Sequence, residues 1–318
     1  MRTVLVEPMT ISQDILDSFR EVLGQDGHSF TAYETKPAST QEWLDRVGDA
    51  DQVILANTPM PEEVVESAKN LKYINVAFTG LDHIPLEACK AKGIQVSNAA
   101  GYSDEGVAEL VVGMTISLLR QIKEADRAIR RGGKAADFLG GEVAGRTVGI
   151  IGTGKIGTRV AQVFQALGAR LVGYNRSVHR DMVDMGMDYL SLEDLLRQSD
   201  IVTVHLPQNE ETRDTITAKE LGLMKETAIL INCARGPIVN SRDLARALAE
   251  GKIAGAGVDV FDREPPLDES EPLLTAPHVL LTPHVAYFTQ EAMAKRADIV
   301  LKNAQDFLEG RPVQSRVL

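Results

Sequence analysis

The sequence predicts an α/β protein of two doubly wound parallel-sheet domains, the smaller one discontinuous. Three observations carry this reading. Strand-like and helix-like runs alternate from the amino terminus onward. A second series of six strand-like runs follows a long amphipathic stretch, and a last helical run comes after the final strand, where it can return to the first sheet. At 318 residues the chain is large for one hydrophobic core and comfortable for two.

In order, Thr3 to Glu7 reads as a strand, Ser12 to Leu23 as a helix with Gly24 after it, and Gln52 to Ala56 and Tyr73 to Ala77 as further buried strands. The loops Asn57 to Pro61 and Phe78 to His83 follow strand ends, where open α/β sheets place ligands. Ser103 to Arg131 reads as one helix, started by Ser103-Asp104-Glu105 and stopped by Gly132-Gly133. Strands follow at Thr147 to Ile151, Arg170 to Tyr174, Ile201 to His205, Ala228 to Asn232, Ile253 to Asp259 and Val279 to Leu281, and a closing helix at Thr289 to Glu309.

With 44% hydrophobic and 25% charged residues the chain has none of the apolar depletion that marks disorder. Its longest apolar stretch, Val107 to Leu119, is interrupted by Glu109 and Gly113 and falls short of the roughly 20 residues of a membrane span. The first residues lack the apolar core of a signal peptide, and only Cys89 and Cys233 occur, so a cytoplasmic protein with free thiols is expected. The net charge of −11 disfavours nucleic acid and anionic membranes, so an anionic ligand needs a local device that reverses the field.

Gly152-Thr153-Gly154-Lys155-Ile156-Gly157 supplies such a device, lying directly between the strand TVGII and the helical run RVAQVFQALG. Gly152 permits a tight turn, Gly154 lets the backbone approach a pyrophosphate, Gly157 lets the helix pack on the sheet, and the helix start offers free N–H groups. After the next strand an NAD-binding domain usually carries an acid for the ribose; here Asn175-Arg176-Ser177 stand instead. Asn175 can still bond a ribose, while Arg176 and Ser177 supply a cation and a hydroxyl for a 2′-phosphate, which favours NADP over NAD.

Arg235, Glu264 and His284 each lie just past one of three consecutive strands, on the edge that carries the glycine loop. They suit an anionic carbonyl substrate: Arg clamps a carboxylate, His moves the proton, and the acid orients the imidazole and favours its cation. A metal shared by His278 and His284 is excluded because mostly extended chain separates them by roughly 20 Å, and no G-x-S-x-G elbow of a hydrolase occurs.

With these motifs, and with LLRQSDIVTVHLPQNEET (Leu195 to Thr212), MKETAILINCARGPIVN (Met224 to Asn240), GVDVFDREPP and TPHVA, the chain resembles the D-2-hydroxyacid dehydrogenases over nearly its whole length. The resemblance implies Rossmann/flavodoxin-like domains: a substrate domain of residues 1–99 and 286–318, and a dinucleotide-binding domain of residues 100–285 that forms homodimers. It implies that Arg235 binds the substrate carboxylate and polarises the keto oxygen, that His284 is the acid/base and that Glu264 pairs with it. Backbone N–H groups around Thr79 and Gly80 would hold the carboxylate, with Tyr102 near the substrate. Thr153 to Ile156, His205, Pro207, Thr212, Cys233 with Ala234, and Asp259 would line the cofactor. Asn175-Arg176-Ser177 depart from the family's usual acid and look like the NADP-using glyoxylate and hydroxypyruvate reductases. The expected activity is NAD(P)H-dependent reduction of a small 2-keto acid of that type. The alternatives are an NAD-dependent phosphoglycerate dehydrogenase and a non-catalytic nucleotide sensor. FTGLDH and NTPMP lack the extra base expected for a phosphate, and the chain runs only a few residues past its last helix, so no added regulatory domain is expected. Cys233 is expected beside the nicotinamide, so that its modification harms the enzyme more than that of Cys89.

Overall fold

The strands of the computed structural model, which describes residues 1–318, form two sheets of five and seven strands, with every pairing parallel. They belong to two units, Met1–Ser103 with Thr289–Leu318, and Asp104–Phe288.

In the first unit β1 (Arg2–Leu5), α1 (Gln13–Leu23), β2 (Ser29–Ala32), α2 (Thr40–Val47), β3 (Gln52–Leu55), α3 (Glu62–Ser67), β4 (Tyr73–Val76), α4 (Leu86–Ala91) and β5 (Gln95–Ser97) alternate, and the sheet runs β2-β1-β3-β4-β5. The Ser12 hydroxyl accepts from the Ile15 N–H at the start of α1, and the Gly24 N–H closes its last turn on Arg20, so the two residues that frame the helix in sequence also cap it. β3 and β4 are buried at every position, as strands covered by helices on both faces must be. The sequence reading lacked β2 and β5. β2 is only half-buried and β5 has three residues, so neither carries a strong apolar pattern.

The second unit begins with α5 (Asp104–Leu119) and α6 (Ile122–Ile129), where one helix from Ser103 to Arg131 was expected. The break has a local cause. Gln121 sits in the left-handed region at φ 50°, and the Leu119 carbonyl accepts from the N–H of Gly141 instead of continuing the helical ladder. Then follow β6 (Thr147–Ile151), α7 (Lys155–Ala166), β7 (Arg170–Tyr174), α8 (Arg180–Asp184), β8 (Asp188–Tyr189), α9 (Leu192–Gln198), β9 (Ile201–Val204), α10 (Ala218–Leu221), β10 (Ile229–Asn232), α11 (Ser241–Ala249), β11 (Gly255–Val258) and β12 (Val279–Leu281). The sheet order is β12-β11-β10-β9-β6-β7-β8. It has seven strands where six were expected, because the two-residue edge strand β8 is too short to show a period. The last helix, α12 (Gln290–Leu308), returns to the first unit, where it packs on α1, β3 and β4 and its Val300 carbonyl accepts from the buried Asn75 amide at 2.8 Å. No helix is long and apolar enough to cross a membrane.

Candidate active site

Strand order reverses between β6 and β9, and the loops that leave their carboxyl ends diverge there to form a crevice. The glycine loop is built for this place. Gly152 adopts φ 95°, and a Cβ there would lie 2.8 Å from the His205 carbonyl carbon. A Cβ on Gly157 would lie 2.0 Å from the Gly152 oxygen, so α7 reaches the sheet only with hydrogen at that position. Gly154 faces open space and caps α7 without a side-chain hydrogen bond, which leaves the first N–H groups of a 12-residue helix facing a cavity of about 380 Å³. Lys155 joins Gly154 and Thr153 in its lining. Arg159 lines it too, as do Asp104 and Glu105, so an anion such as a pyrophosphate would rest on the helix start and the two bases.

The neighbours of the loop are fixed by polar contacts. Buried Thr153 shares a 2.8 Å hydrogen bond with the Tyr189 hydroxyl. The His205 ring meets the Thr203 hydroxyl at 2.8 Å, and burial pushes its pKa down to about 3, so the ring is neutral. The Thr212 hydroxyl donates to the Pro207 carbonyl at 2.6 Å and closes the loop after β9. After β7, the Asn175 amide donates to the Ser177 carbonyl at 3.0 Å. Arg176 stands 3.6 Å from Glu211, both side chains largely exposed, an ion pair that runs from the β7 loop to the β9 loop past the end of β6. Cys233 is buried, 3.9 Å from the Met114 sulfur, and burial, aided by the Asp259 carboxylate, pushes its thiol well above the usual range.

Arg235, Glu264 and His284 follow β10, β11 and β12, which are neighbours in the sheet. The loops after β10 and β11 touch so closely at Gly236 that a Cβ there would lie 2.0 Å from the Phe261 carbonyl carbon. The Asn232 amide accepts the Ala234 N–H and donates to the Arg235 carbonyl, which fixes the bend that carries Arg235. Glu264 receives His284 Nδ1 at 2.7 and 2.8 Å on its two oxygens. His284 has φ 56°, an unfavourable backbone for a residue with a Cβ. Fully buried Asp259 holds it there. Its carboxylate accepts from the Thr282 hydroxyl at 2.5 Å and from the N–H groups of Val285 and Ala286 at 2.9 Å, and its carbonyl accepts from the His284 N–H at 2.7 Å. Sequence reasoning gave Asp259 to the cofactor and missed this grip on the histidine turn. The spacing from Asp259 to Thr282 carries no local pattern that reveals it.

The remaining expected residues lie in the first unit. Thr79 is exposed, and its carbonyl accepts from the Asn98 amide at 2.9 Å. Gly80 is half-buried beside it. Tyr102 is buried edge-on to Phe78, with the Arg296 guanidinium 5.1 Å from the Phe78 ring centre and 5.9 Å from that of Tyr102. Glu7, fully buried at the end of β1, accepts from the N–H groups of Ala56 and Thr58 at 2.9 and 3.0 Å and pins the loop after β3. Lys36, distant in sequence, donates to Asn57 at 3.1 Å, so the fold brings a base to the loop that lacks one in sequence.

Residues 112–286 match the family described as D-isomer specific 2-hydroxyacid dehydrogenase, NAD binding domain. The chain is 35% identical to a glyoxylate reductase of Aeropyrum pernix over 312 residues, 95% of this chain and 92% of that one. It is 36% identical over 281 residues to a D-3-phosphoglycerate dehydrogenase of Methanocaldococcus jannaschii, with 87% of this chain matched but only 53% of the relative, so it spans about half of that protein. An acyclic imino acid reductase solved with NADPH and D-Arg superposes over the full length of both chains with a TM-score of 0.90 at 29% identity. The chain therefore belongs to the D-isomer specific 2-hydroxyacid dehydrogenases, oxidoreductases that act on CH–OH donors with a nicotinamide cofactor.

Proposed function

We propose that the chain reduces a small 2-keto acid, glyoxylate or hydroxypyruvate first, to the D-2-hydroxy acid with NADPH preferred over NADH. The observation that carries this is the His284–Glu264 pair, held at 2.7 Å past the ends of β12 and β11, of which β11 lies beside β10, the strand that leads to Arg235. When bound, the nicotinamide supplies the hydride that adds to the keto carbon. With Nδ1 committed to Glu264, the His284 Nε2 proton passes to the developing alkoxide, and the carboxylate stabilises the cationic ring before transfer. The Arg235 fork takes the substrate carboxylate and lowers the energy of negative charge on the oxygen. In this reading residues 1–99 and 286–318 bind substrate, with backbone N–H groups near Thr79 and Gly80 and the ring of Tyr102 as contacts, and residues 100–285 bind cofactor.

The preference for NADP rests on Arg176 and Ser177 standing where an acid would read the ribose. A homodimer through the larger unit is supported by Ile122, Ile129 and Leu139, exposed by 51%, 67% and 94%, which leave the amphipathic α6 and the segment after it apolar and uncovered. Two buried free cysteines suit the cytoplasm. Phosphoglycerate dehydrogenase is the second reading, favoured by Lys36 at the Asn57 loop. Turnover of a keto-acid panel with NADPH and NADH tests all of this. Preference for a phosphorylated keto acid selects the second reading, preference for NADH defeats the cofactor assignment, and tight cofactor binding without turnover selects a sensor.

A further inference from the structure

We propose that Arg296 is a positioning residue for the substrate carboxylate: its guanidinium ties together the loops that follow β1, β4 and β5, and so sets where the backbone N–H groups of Thr79 and Gly80 stand. The proposal rests on the reading above that gives the carboxylate to those N–H groups. Arg296 lies in the second turn of α12 and is 2% exposed. Its Nη2 donates to the carbonyl of Met9, in the loop after β1. Its guanidinium carbon stands 5.1 Å from the ring centre of Phe78 and 5.9 Å from that of Tyr102, and the two rings meet edge to face at 6.1 Å. Phe78 directly precedes Thr79 and Gly80 in the loop after β4, and Tyr102 lies past β5. The Ala99 N–H donates to the Phe78 carbonyl at 3.0 Å, and the Ala99 carbonyl accepts from the Tyr102 N–H at 3.3 Å, so a displacement of either ring reaches the same backbone.

One cation thus serves three strand ends of a sheet ordered β2-β1-β3-β4-β5, whose switch point lies between β1 and β3. Packing alone does not call for a charge here. A guanidinium is costly to take out of water, and an apolar side chain of similar volume would fill the place as well or better. What Arg296 adds is direction, a fork that bonds a carbonyl while its cation attracts two rings. The loop after β1 uses that hold. Thr10, next to Met9, has φ 53°, a backbone that a residue with a Cβ adopts only under constraint. The charge counts as well, because the molecule carries −11 and a carboxylate bound at Thr79 and Gly80 gains from a cation fixed against the neighbouring ring.

Glyoxylate and hydroxypyruvate are assayed on the full chain with whichever of NADPH and NADH the wild type prefers, and the dissociation constant of that cofactor is measured by fluorescence for each variant. In Arg296→Met, KM for both acids is expected to rise about tenfold, the loss of one hydrogen bond to a charged group. There kcat stays within about threefold and the cofactor dissociation constant within about twofold, because the lost interaction belongs to substrate binding. Arg296→Lys keeps the charge but not the fork, and its KM falls between those of the wild type and Arg296→Met. A cycle with Phe78→Leu tests the route. The double variant Phe78→Leu/Arg296→Met is expected to have a KM no higher than Arg296→Met alone, a coupling that a general loss of stability does not produce. Two increases that multiply, a KM unmoved in folded Arg296→Met, or full rescue by Arg296→Lys each overturn the proposal. Should Arg296→Met fail to fold, the same cycle with Arg296→Lys decides by the same signs. A wild type that turns over neither acid overturns the reading of the substrate site and this inference with it, whereas wild-type turnover with an unmoved KM in the variants overturns the inference alone.

Discussion

His284 has a backbone that costs free energy and a ring whose Nδ1 is held by a carboxylate, so its position is fixed before substrate arrives. His284→Ala removes the proposed proton donor without touching the glycine loop. Turnover should fall at least about 100-fold, the scale of general acid catalysis, while the NADPH dissociation constant measured by fluorescence stays within about twofold. Retained turnover would remove His284 from the chemistry. At the other end of the proposed cofactor site Arg176 has a competitor in Glu211, 3.6 Å away. A 2′-phosphate must displace or tolerate that carboxylate, whereas NAD meets no such repulsion. Glu211→Gln should therefore raise the NADPH/NADH ratio of kcat/KM, by about threefold as befits an exposed pair. A ratio that falls would show that Glu211 helps to position Arg176 rather than to compete for it.

The proposed catalytic groups are carried by loops, but rigid elements aim them, and two of these loops meet at Gly236 against Phe261. Gly236→Ala puts a methyl group within 2.0 Å of the Phe261 backbone, and a backbone atom has no rotamer by which to yield. The loop of Arg235 must then move away from the loop of Glu264. A shift of about 1 Å costs roughly 100-fold in rate, so kcat should drop while far-ultraviolet dichroism stays native. An unchanged kcat would mean that Arg235 tolerates displacement and is not a precise clamp. The grip of Asp259 on the turn from Thr282 to Ala286 works in the same direction, since each hydrogen bond that its carboxylate accepts comes from the segment that carries His284. What a sequence reveals at this scale depends on range. The glycine loop and the strand ends were legible because their signals lie within six or seven residues, with hydrophobic runs bounded by glycine. The break at Gln121 was not, because it comes from Gly141 capping Leu119 across 22 residues of chain, with no glycine or proline at the break itself.

Across the whole molecule, two parallel sheets and the return of α12 followed from the alternation of segments, while β8 and the approach of Lys36 to Asn57 depend on tertiary neighbours and had no sequence signal. The net charge of −11 sets the long-range field against anions, but it does not decide stability in acid, which rests on the groups whose protonation differs between the folded and unfolded chain. Two of these are well defined. His205 is neutral when folded, with its pKa pushed down to about 3 by burial, and the unfolded chain takes up that proton below about 6.5. Its contribution is therefore complete above pH 6.5 and declines as the pH falls toward 3. For Asp200, burial alone would raise the pKa, but hydrogen bonds from Lys225 and from the Thr147 N–H outweigh it and leave the carboxyl below its usual value of 3.8. Its contribution is present above that value and is lost only at lower pH. The two windows do not coincide, so the early part of acid destabilisation belongs to the histidine. Urea midpoints should fall between pH 7.5 and pH 5 by an amount equivalent to about 1–2 kcal/mol, the linkage of one buried imidazole over this interval. His205→Gln should flatten that part of the curve and leave the decline below pH 4 in place, whereas an unchanged slope in the variant would show that the imidazole is solvated and that other groups take up the first protons.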